Sequence, residues 1–298
     1  MGTTYTIKLI GEKINTDNIQ DSITSILDHI NHQMSTYIDT SRISIFNKSD
    51  INDSTRVGND FIHILNKSIY YNNITNGAFD ITIKPLVELW GFGATGTPDS
   101  IPTDKEIDSL LSYIGIDNIT INKNYLHKMS NVNADFSAIA KGHAVDKISS
   151  YLTKVDIPNH MVEIGGEIKV SGFNNDGNSW HIGIQNPNEN DISPFINIFL
   201  TDKGMATSGN YRNYYTVNGK KYAHIISPIT GKPIENNILS VTVISDDCLD
   251  ADALATALMV MNINQGLKLI ENLEDTEVLY TLENNKILYS SGFKSFIH

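Results

Sequence analysis

Apolar residues recur along this chain with two periods, and the periods predict helices and strands in alternating groups. Residues 3–10 read as a strand, and Ile19, Ile23, Ile26, Leu27, Ile30 and Met34 then repeat at helical spacing. Residues 60–70 predict a second helix with Phe61, Ile64 and Leu65 facing inward. Thr103 and Glu106 form a capping box for a helix with Ile107, Leu110, Leu111 and Ile114 on one face, and Gly115 stands at its expected stop. Ala144, Val145, Ile148 and Leu152 mark another helix.

The second half is richer in strands. Residues 161–164 and 168–170 read as strands around Gly165 and Gly166, followed by residues 180–185 and 196–200. Residues 211–217 and 221–226 flank Asn218-Gly219, a type I′ hairpin signal. A strand over 239–245 precedes a helix over 250–261 and another over 264–273, and 278–282 with 286–289 predict a final hairpin. Residues 77–93, rich in Gly and aromatics with Pro85 inside, read as a binding segment or a tight turn and not as a regular element. The expected fold class is α+β, with mixed, mostly antiparallel sheets and flanking helices, over 1–298 as a single domain or two interlocked lobes.

Composition narrows the function. A chain of 298 residues with 40% hydrophobic content can bury a sizeable core. Its net charge of −12 argues against a nucleic-acid surface and requires any phosphate ligand to be met by local positive groups or a metal. One cysteine, Cys248, excludes an internal disulfide framework and reads as a small buried side chain. No apolar run reaches the roughly 18–20 residues needed to span a bilayer.

Two segments carry chemistry. The run from Asp135 to Gly142 puts a carboxylate, small residues, Lys141 and a glycine directly before an amphipathic helix. Free N–H groups at a helix start favour phosphate oxygens, and small residues let a ligand approach the backbone. An ordinary strand-to-helix corner with a surface lysine is the competing reading. Asp252 and Thr256, four residues apart, share a face of the 250–261 helix, and such hard oxygens suit Mg²⁺. Acidic residues also gather at helix starts for capping and dipole reasons, which is the preferred reading of Asp250.

Taken in order, the segments resemble the ApbE family of FAD:protein FMN transferases over almost the whole chain. The resemblance rests on Met34-Ser-Thr-Tyr37 with Ser44-Ile-Phe-Asn47, Thr75-Asn-Gly-Ala-Phe-Asp80 with Leu89-Trp-Gly-Phe-Gly93, and the Asp135 to Gly142 run. It continues through Glu163-Ile-Gly-Gly-Glu167, Ala206-Thr-Ser-Gly209 with Tyr211 and Arg212, His224-Ile-Ile-Ser-Pro228 with Thr230 and Gly231, and Ala251-Asp-Ala-Leu-Ala-Thr256.

The resemblance implies an enzyme with a fold related to the T-fold. It would use Mg²⁺ to cleave the pyrophosphate of FAD, join the FMN half to a threonine hydroxyl of an acceptor flavoprotein as a phosphoester, and release AMP. Such an acceptor would be, for example, a subunit of a membrane redox complex. It implies an FAD site lined by Met34, Ala78, Phe79, Asp80, Asp135, Lys141 and Ile226, and Mg²⁺ held by Asp252, Thr256 and the carbonyl of Ala138. Met34, Phe79 and Ile226 can supply the apolar slot a flavin needs. His224 is the candidate base for the acceptor hydroxyl; orienting a phosphate is its other reading. Ser208 and Arg212 are candidate contacts to phosphate or adenine, Trp90 and Phe92 are candidates for stacking or core, and Trp180 for core.

Some positions depart from the family pattern: Ala138 stands where Gly is common, Ser227 where Asp precedes Pro, Asn210 where Asp precedes Tyr211, and Ile81 where Pro is frequent. In the family, a Met-Gly-Thr segment usually follows a signal peptide and an anchoring cysteine. Met1-Gly-Thr-Thr4 therefore suggests an enzyme lipid-anchored on the periplasmic side of the bacterial inner membrane, with a cytoplasmic relative as the alternative. Two other functions stay open: a Mg²⁺-dependent FAD pyrophosphatase giving FMN and AMP, and a protein that binds FAD without chemistry.

Overall fold

A computed structural model describes residues 2–12, 14–93, 96, 100–187, 194–210, 213–217, 219–283 and 286–297. The chain divides into two units built from separated stretches. Unit 1 comprises Met1–Leu27, Ile139–Arg212 and Asn237–His298, and unit 2 comprises Asp28–Ala138 and Asn213–Asn236.

Unit 1 is organised around a seven-stranded sheet. Its strands are β1 (Tyr5–Ile10), β5 (Asn159–Ile164), β6 (Glu167–Ser171), β9 (Gly204–Gly209), β12 (Ile238–Ser245), β13 (Glu277–Leu282) and β14 (Ile287–Tyr289), adjacent in that order. Every neighbouring pair is antiparallel. Gly165 and Gly166, with φ of 62° and 105°, turn β5 into β6. Two successive residues with positive φ are what a tight hairpin turn demands, so these glycines serve the turn.

Strand alternation separates the two faces of that sheet. On one face, α6 (Ala140–Lys154) and α7 (Cys248–Val260) pack against β5, β6, β9 and β12. His160 of β5 meets Ser149 of α6 on this side, with its Nε2 2.7 Å from the serine hydroxyl. On the other face, Met161, Val170, Met205, Ile244 and Leu279 pack with Trp180, Ile182 and Ile184 of β7 (Trp180–Gln185) and with Ile198 and Leu200 of β8 (Pro194–Leu200). Trp180 is core, as its sequence context predicts.

Unit 2 carries most of the remaining helices. α1 (Thr16–Met34) runs into it, followed by α2 (Arg42–Lys48), α3 (Asn59–Ile74), α4 (Lys84–Leu89) and α5 (Asp104–Leu111). A three-stranded sheet of β2 (Ser54–Arg56), β4 (Tyr125–Lys128) and β3 (Ile119–Asn122) and the hairpin of β10 (Tyr214–Val217) and β11 (Lys220–Ala223) complete it. Leu86, Trp90, Ile107 and Ile226 form a buried cluster. Phe61 and Phe136 meet edge to face at 4.9 Å.

Several sequence expectations change here. The 77–93 segment contains a short 3₁₀ turn, Ile81–Ile83, and then helix α4 with Pro85 in its first turn, where a missing N–H costs nothing. The capping box of α5 forms as expected, but the helix ends at Leu111 and Gly115 lies beyond it, with φ 141°, donating its N–H to the Thr82 hydroxyl. The strand predicted to reach residue 226 ends at Ala223. Asn218 of the hairpin signal, Tyr211 and Met1 lie outside the described residues. No helix among the described residues is long and apolar enough to cross a membrane.

Candidate active site

Within unit 1 the chemistry gathers where α6 and α7 begin. α7 is apolar on nearly all sides, as befits a helix buried in the protein. Asp252 is set within it at 2% exposure, and Thr256 emerges one turn later, half-buried. The first turn of an α-helix leaves N–H groups without an intrahelical partner. Neither helix meets this need with its own capping side chain. Asp252 Oδ2 accepts the N–H of Gly142, in the first turn of α6, at 2.9 Å. Asp146 of α6 accepts the N–H groups of Cys248 and Leu249, at the start of α7, at 2.9 and 2.8 Å.

Gly142 is required by this crossing. A Cβ on it would stand 2.4 Å from the Cys248 carbonyl oxygen and 2.7 Å from Leu249 Cα, inside any permissible contact. The N–H of Gly142, which the sequence offers to a phosphate, is therefore taken by Asp252, and the glycine serves helix packing. Cys248 is fully buried.

Lys141 lies between two carboxylates. Its Nζ is 2.6 Å from Glu167 Oε1 and 3.6 Å from Asp252 Oδ1. Burial opposes the lysine charge, but Asp252 and Glu167 outweigh it and hold its pKa above the usual lysine value. Burial, with repulsion from Asp252, pushes the Glu167 carboxyl up, against the pull of Lys141. Glu167 Oε2 is buried and has no hydrogen-bond partner. Burial also raises Asp146, to about 7. Thr256 shares a hydrogen bond with Ser208 of β9 at 3.2 Å between hydroxyls. Among the described residues no three His, Cys, Asp or Glu side chains converge as a metal cluster.

In unit 2 a second set assembles. The Asp135 N–H donates to the Ile81 carbonyl at 2.7 Å, and Asp135 Oδ2 accepts a long bond from Thr36 at 3.4 Å. Its Oδ1 accepts from the Ser137 N–H at 2.8 Å. These bonds join the Met34–Tyr37 loop, the segment following Asp80, and the Asp135 run. Asp80 caps the Ile81–Ile83 turn through the Thr82 N–H at 2.8 Å, and its other oxygen accepts from Asn72 at 3.2 Å. Burial raises the Asp80 carboxyl, against the Thr82 bonds.

The apolar members are buried: Met34, Ala78 and Ile226, and Phe79, which is 2% exposed and packs edge to face on Tyr71 at 6.3 Å. Ala138 is half-buried in the turn that closes this unit's first stretch. His224 follows β11 and is half-buried. Its Nδ1 lies 3.1 Å from the Asn213 carbonyl, and the edge of Phe92 faces its ring at 6.3 Å. A carbonyl only accepts, so Nδ1 carries the proton of this bond. Trp90 stacks on Tyr222 at 5.6 Å and donates to the Gly231 carbonyl at 2.8 Å, so it is core. Arg212 lies outside the described residues.

Sequence reasoning assigned no role to Glu167, Asp146 or Asn213. Glu167 has the best signal, an acidic residue directly after two glycines in one of the quoted motifs.

The ApbE family matches residues 1–280 of this chain. The chain is 41% identical over 302 residues to the FAD:protein FMN transferase of Vibrio cholerae, covering 100% of this chain and 90% of that relative. It is 37% identical over 308 residues to the FAD:protein FMN transferase of Haemophilus influenzae, covering 99% and 88%. Its fold superposes on the flavin transferase ApbE from Vibrio cholerae with a TM-score of 0.90 at 39% identity, over 100% of this chain and 96% of that one. With agreement of this extent in sequence and in fold, the chain belongs to the ApbE family.

Proposed function

We propose that this protein transfers the FMN half of FAD to a threonine hydroxyl of an acceptor flavoprotein, with Mg²⁺ as cofactor and AMP as the other product. The observation that carries this reading is the Lys141–Glu167–Asp252 cluster of unit 1. It is a buried lysine between two carboxylates, one of whose oxygens has no partner. With one ammonium against two carboxylates, Glu167 is pushed toward holding a proton, and a cation would take that proton's place. Its donors fit Mg²⁺: carboxylate oxygen from Asp252 and hydroxyl oxygen from Thr256, with Ser208 beside it, are hard ligands.

Mg²⁺ bound by Asp252 and Thr256 would neutralise charge on the diphosphate. Lys141 would add a fixed positive charge for the same phosphates. In unit 2, Met34, Phe79 and Ile226 would receive the apolar ring system, and Asp80 and Asp135 its polar edge. The acceptor oxygen attacks the phosphorus on the FMN side and the bond from that phosphorus to the AMP oxygen breaks. His224, whose Nδ1 donates to the Asn213 carbonyl, would take the hydroxyl proton. Transfer of this kind relies mainly on positioning and charge neutralisation.

The test is incubation of the protein with FAD, Mg²⁺ and a threonine-containing acceptor domain, followed by mass spectrometry. Acceptor gaining the mass of FMN less one water, with AMP released in equal amount, supports the reading. Free FMN with AMP and an unmodified acceptor makes the protein a pyrophosphatase, and intact FAD makes it a binding protein. The family resemblance also supports a lipid-anchored, periplasmic setting, which fractionation of the native protein decides.

A further inference from the structure

Glu167 opens β6 directly after the Gly165–Gly166 turn, and the residue is 3% exposed. Among the described residues, Oε1 receives the Lys141 ammonium at 2.6 Å, while Oε2 has no hydrogen-bond partner. The same ammonium stands 3.6 Å from Asp252 Oδ1, beyond hydrogen-bond reach. Asp252 Oδ2 already accepts the Gly142 N–H, so Oδ1 is the less engaged oxygen and the one we assign to a cation. Lys141 is thus a built-in competitor for that oxygen. A flexible ammonium with no other anion nearby would close on Asp252 and satisfy it.

We propose that Glu167 is the positioning residue of the cation site: it holds the Lys141 ammonium at its own carboxylate and so keeps Asp252 Oδ1 open for Mg²⁺. The proposal rests on the reading of Asp252 as a Mg²⁺ ligand given above. It explains why a second carboxylate is buried beside the first, at a cost in desolvation, when one would neutralise the lysine. Removing Glu167 does more than subtract a charge. It hands the lysine to Asp252.

The test is calorimetric titration of the folded protein with Mg²⁺, in parallel with melting curves in the presence and absence of Mg²⁺. Glu167→Gln keeps the shape of the side chain, and its Mg²⁺ affinity should fall by about 10–100-fold, the usual loss when a partner behind a metal ligand is removed. In a Lys141→Met background, where there is no ammonium to hold, the same substitution should change affinity by less than about threefold, since the two residues act through one another. An equal loss in both backgrounds overturns the positioning role and makes Glu167 a ligand or a bulk charge. Equal affinity of the wild type and Glu167→Gln also overturns it, with the Asp252 reading left standing. No Mg²⁺ uptake by the wild type removes that reading and this one together. Should Glu167→Gln fail to fold, Glu167→Asp keeps the charge but draws it back by one methylene, and an unchanged Mg²⁺ affinity there overturns the proposal.

Discussion

Asp146 and Asp252 each close the open end of the helix that carries the other. Asp252, in α7, takes the Gly142 N–H of α6, and Asp146, in α6, takes the Cys248 and Leu249 N–H groups of α7. Two helix starts are thereby locked together, and the residues read as the phosphate and cation site sit on the lock. The arrangement ties stability to function in ways that can be measured.

Asp146 gives stability a pH dependence of its own. Its native value is raised to about 7 from the ordinary 3.8, because burial disfavours the carboxylate more than the two N–H bonds favour it. Between those values the native chain holds a proton that the unfolded chain has lost. The contribution is fully present below about pH 4, declines as pH rises through 7, and is level above that. Asp146→Asn should therefore show a flatter stability profile over this window. Urea denaturation of both proteins from pH 4 to 8 checks this, and parallel profiles would show that Asp146 does not titrate there.

Gly142→Ala should destabilise by about 1–3 kcal/mol, the usual cost of overpacking. The colliding atoms are backbone of Cys248 and Leu249 and cannot swing aside. A melting temperature equal to that of the parent would mean that α6 and α7 separate freely.

Asp252→Ala should abolish transfer and also weaken the fold. It strands the Gly142 N–H, a loss of about 1–3 kcal/mol for an unsatisfied buried donor. Asp252→Asn retains an acceptor for that N–H and is the better probe of metal binding: activity should still be lost, with stability closer to the parent. Near-normal turnover of either variant at low Mg²⁺ would remove Asp252 from the site.

Phe79→Ala should cost about 3–5 kcal/mol in stability, because the ring is buried against Tyr71. Phe79→Leu separates packing from binding. If the ring also borders the flavin, FAD affinity should fall in Phe79→Leu while the melting temperature shifts little; unchanged affinity makes Phe79 core alone.

His224→Ala should lower FMN transfer by about 10²–10⁴-fold, with FAD affinity nearly unchanged, since a base acts mainly in the transition state. The parent rate should rise with pH as the imidazole gives up its proton, and the variant should lose that rise. Weak FAD binding with an unchanged pH profile would instead assign His224 to phosphate orientation.

What was legible in the sequence was what is local. The Thr103–Glu106 capping box formed because both partners lie within one turn. α1 and β12 appeared close to their predicted bounds because their apolar periods are unbroken. The caps of α6 and α7 were hidden because each comes from the other helix, about a hundred positions away in the chain. The packing role of Gly142 is hidden for the same reason: the backbone it abuts is distant in the chain. α4 was missed because glycine, proline and aromatics masked a single short helix. Lys141 and Asp252 were both singled out, yet nothing local revealed that Glu167 lies between them in charge balance.

The order in which strands join the large sheet bears on how the chain is made. β1 is made well before its partner β5, with Tyr5 facing Ile164, and the first stretch of unit 2 is synthesised in between. β9 in turn waits for β12, on the far side of the second unit 2 stretch. Pairings so distant in sequence are slow to close. The nascent chain therefore carries β1 without its partner until β5 is made, and over that interval the strand edge is open to aggregation.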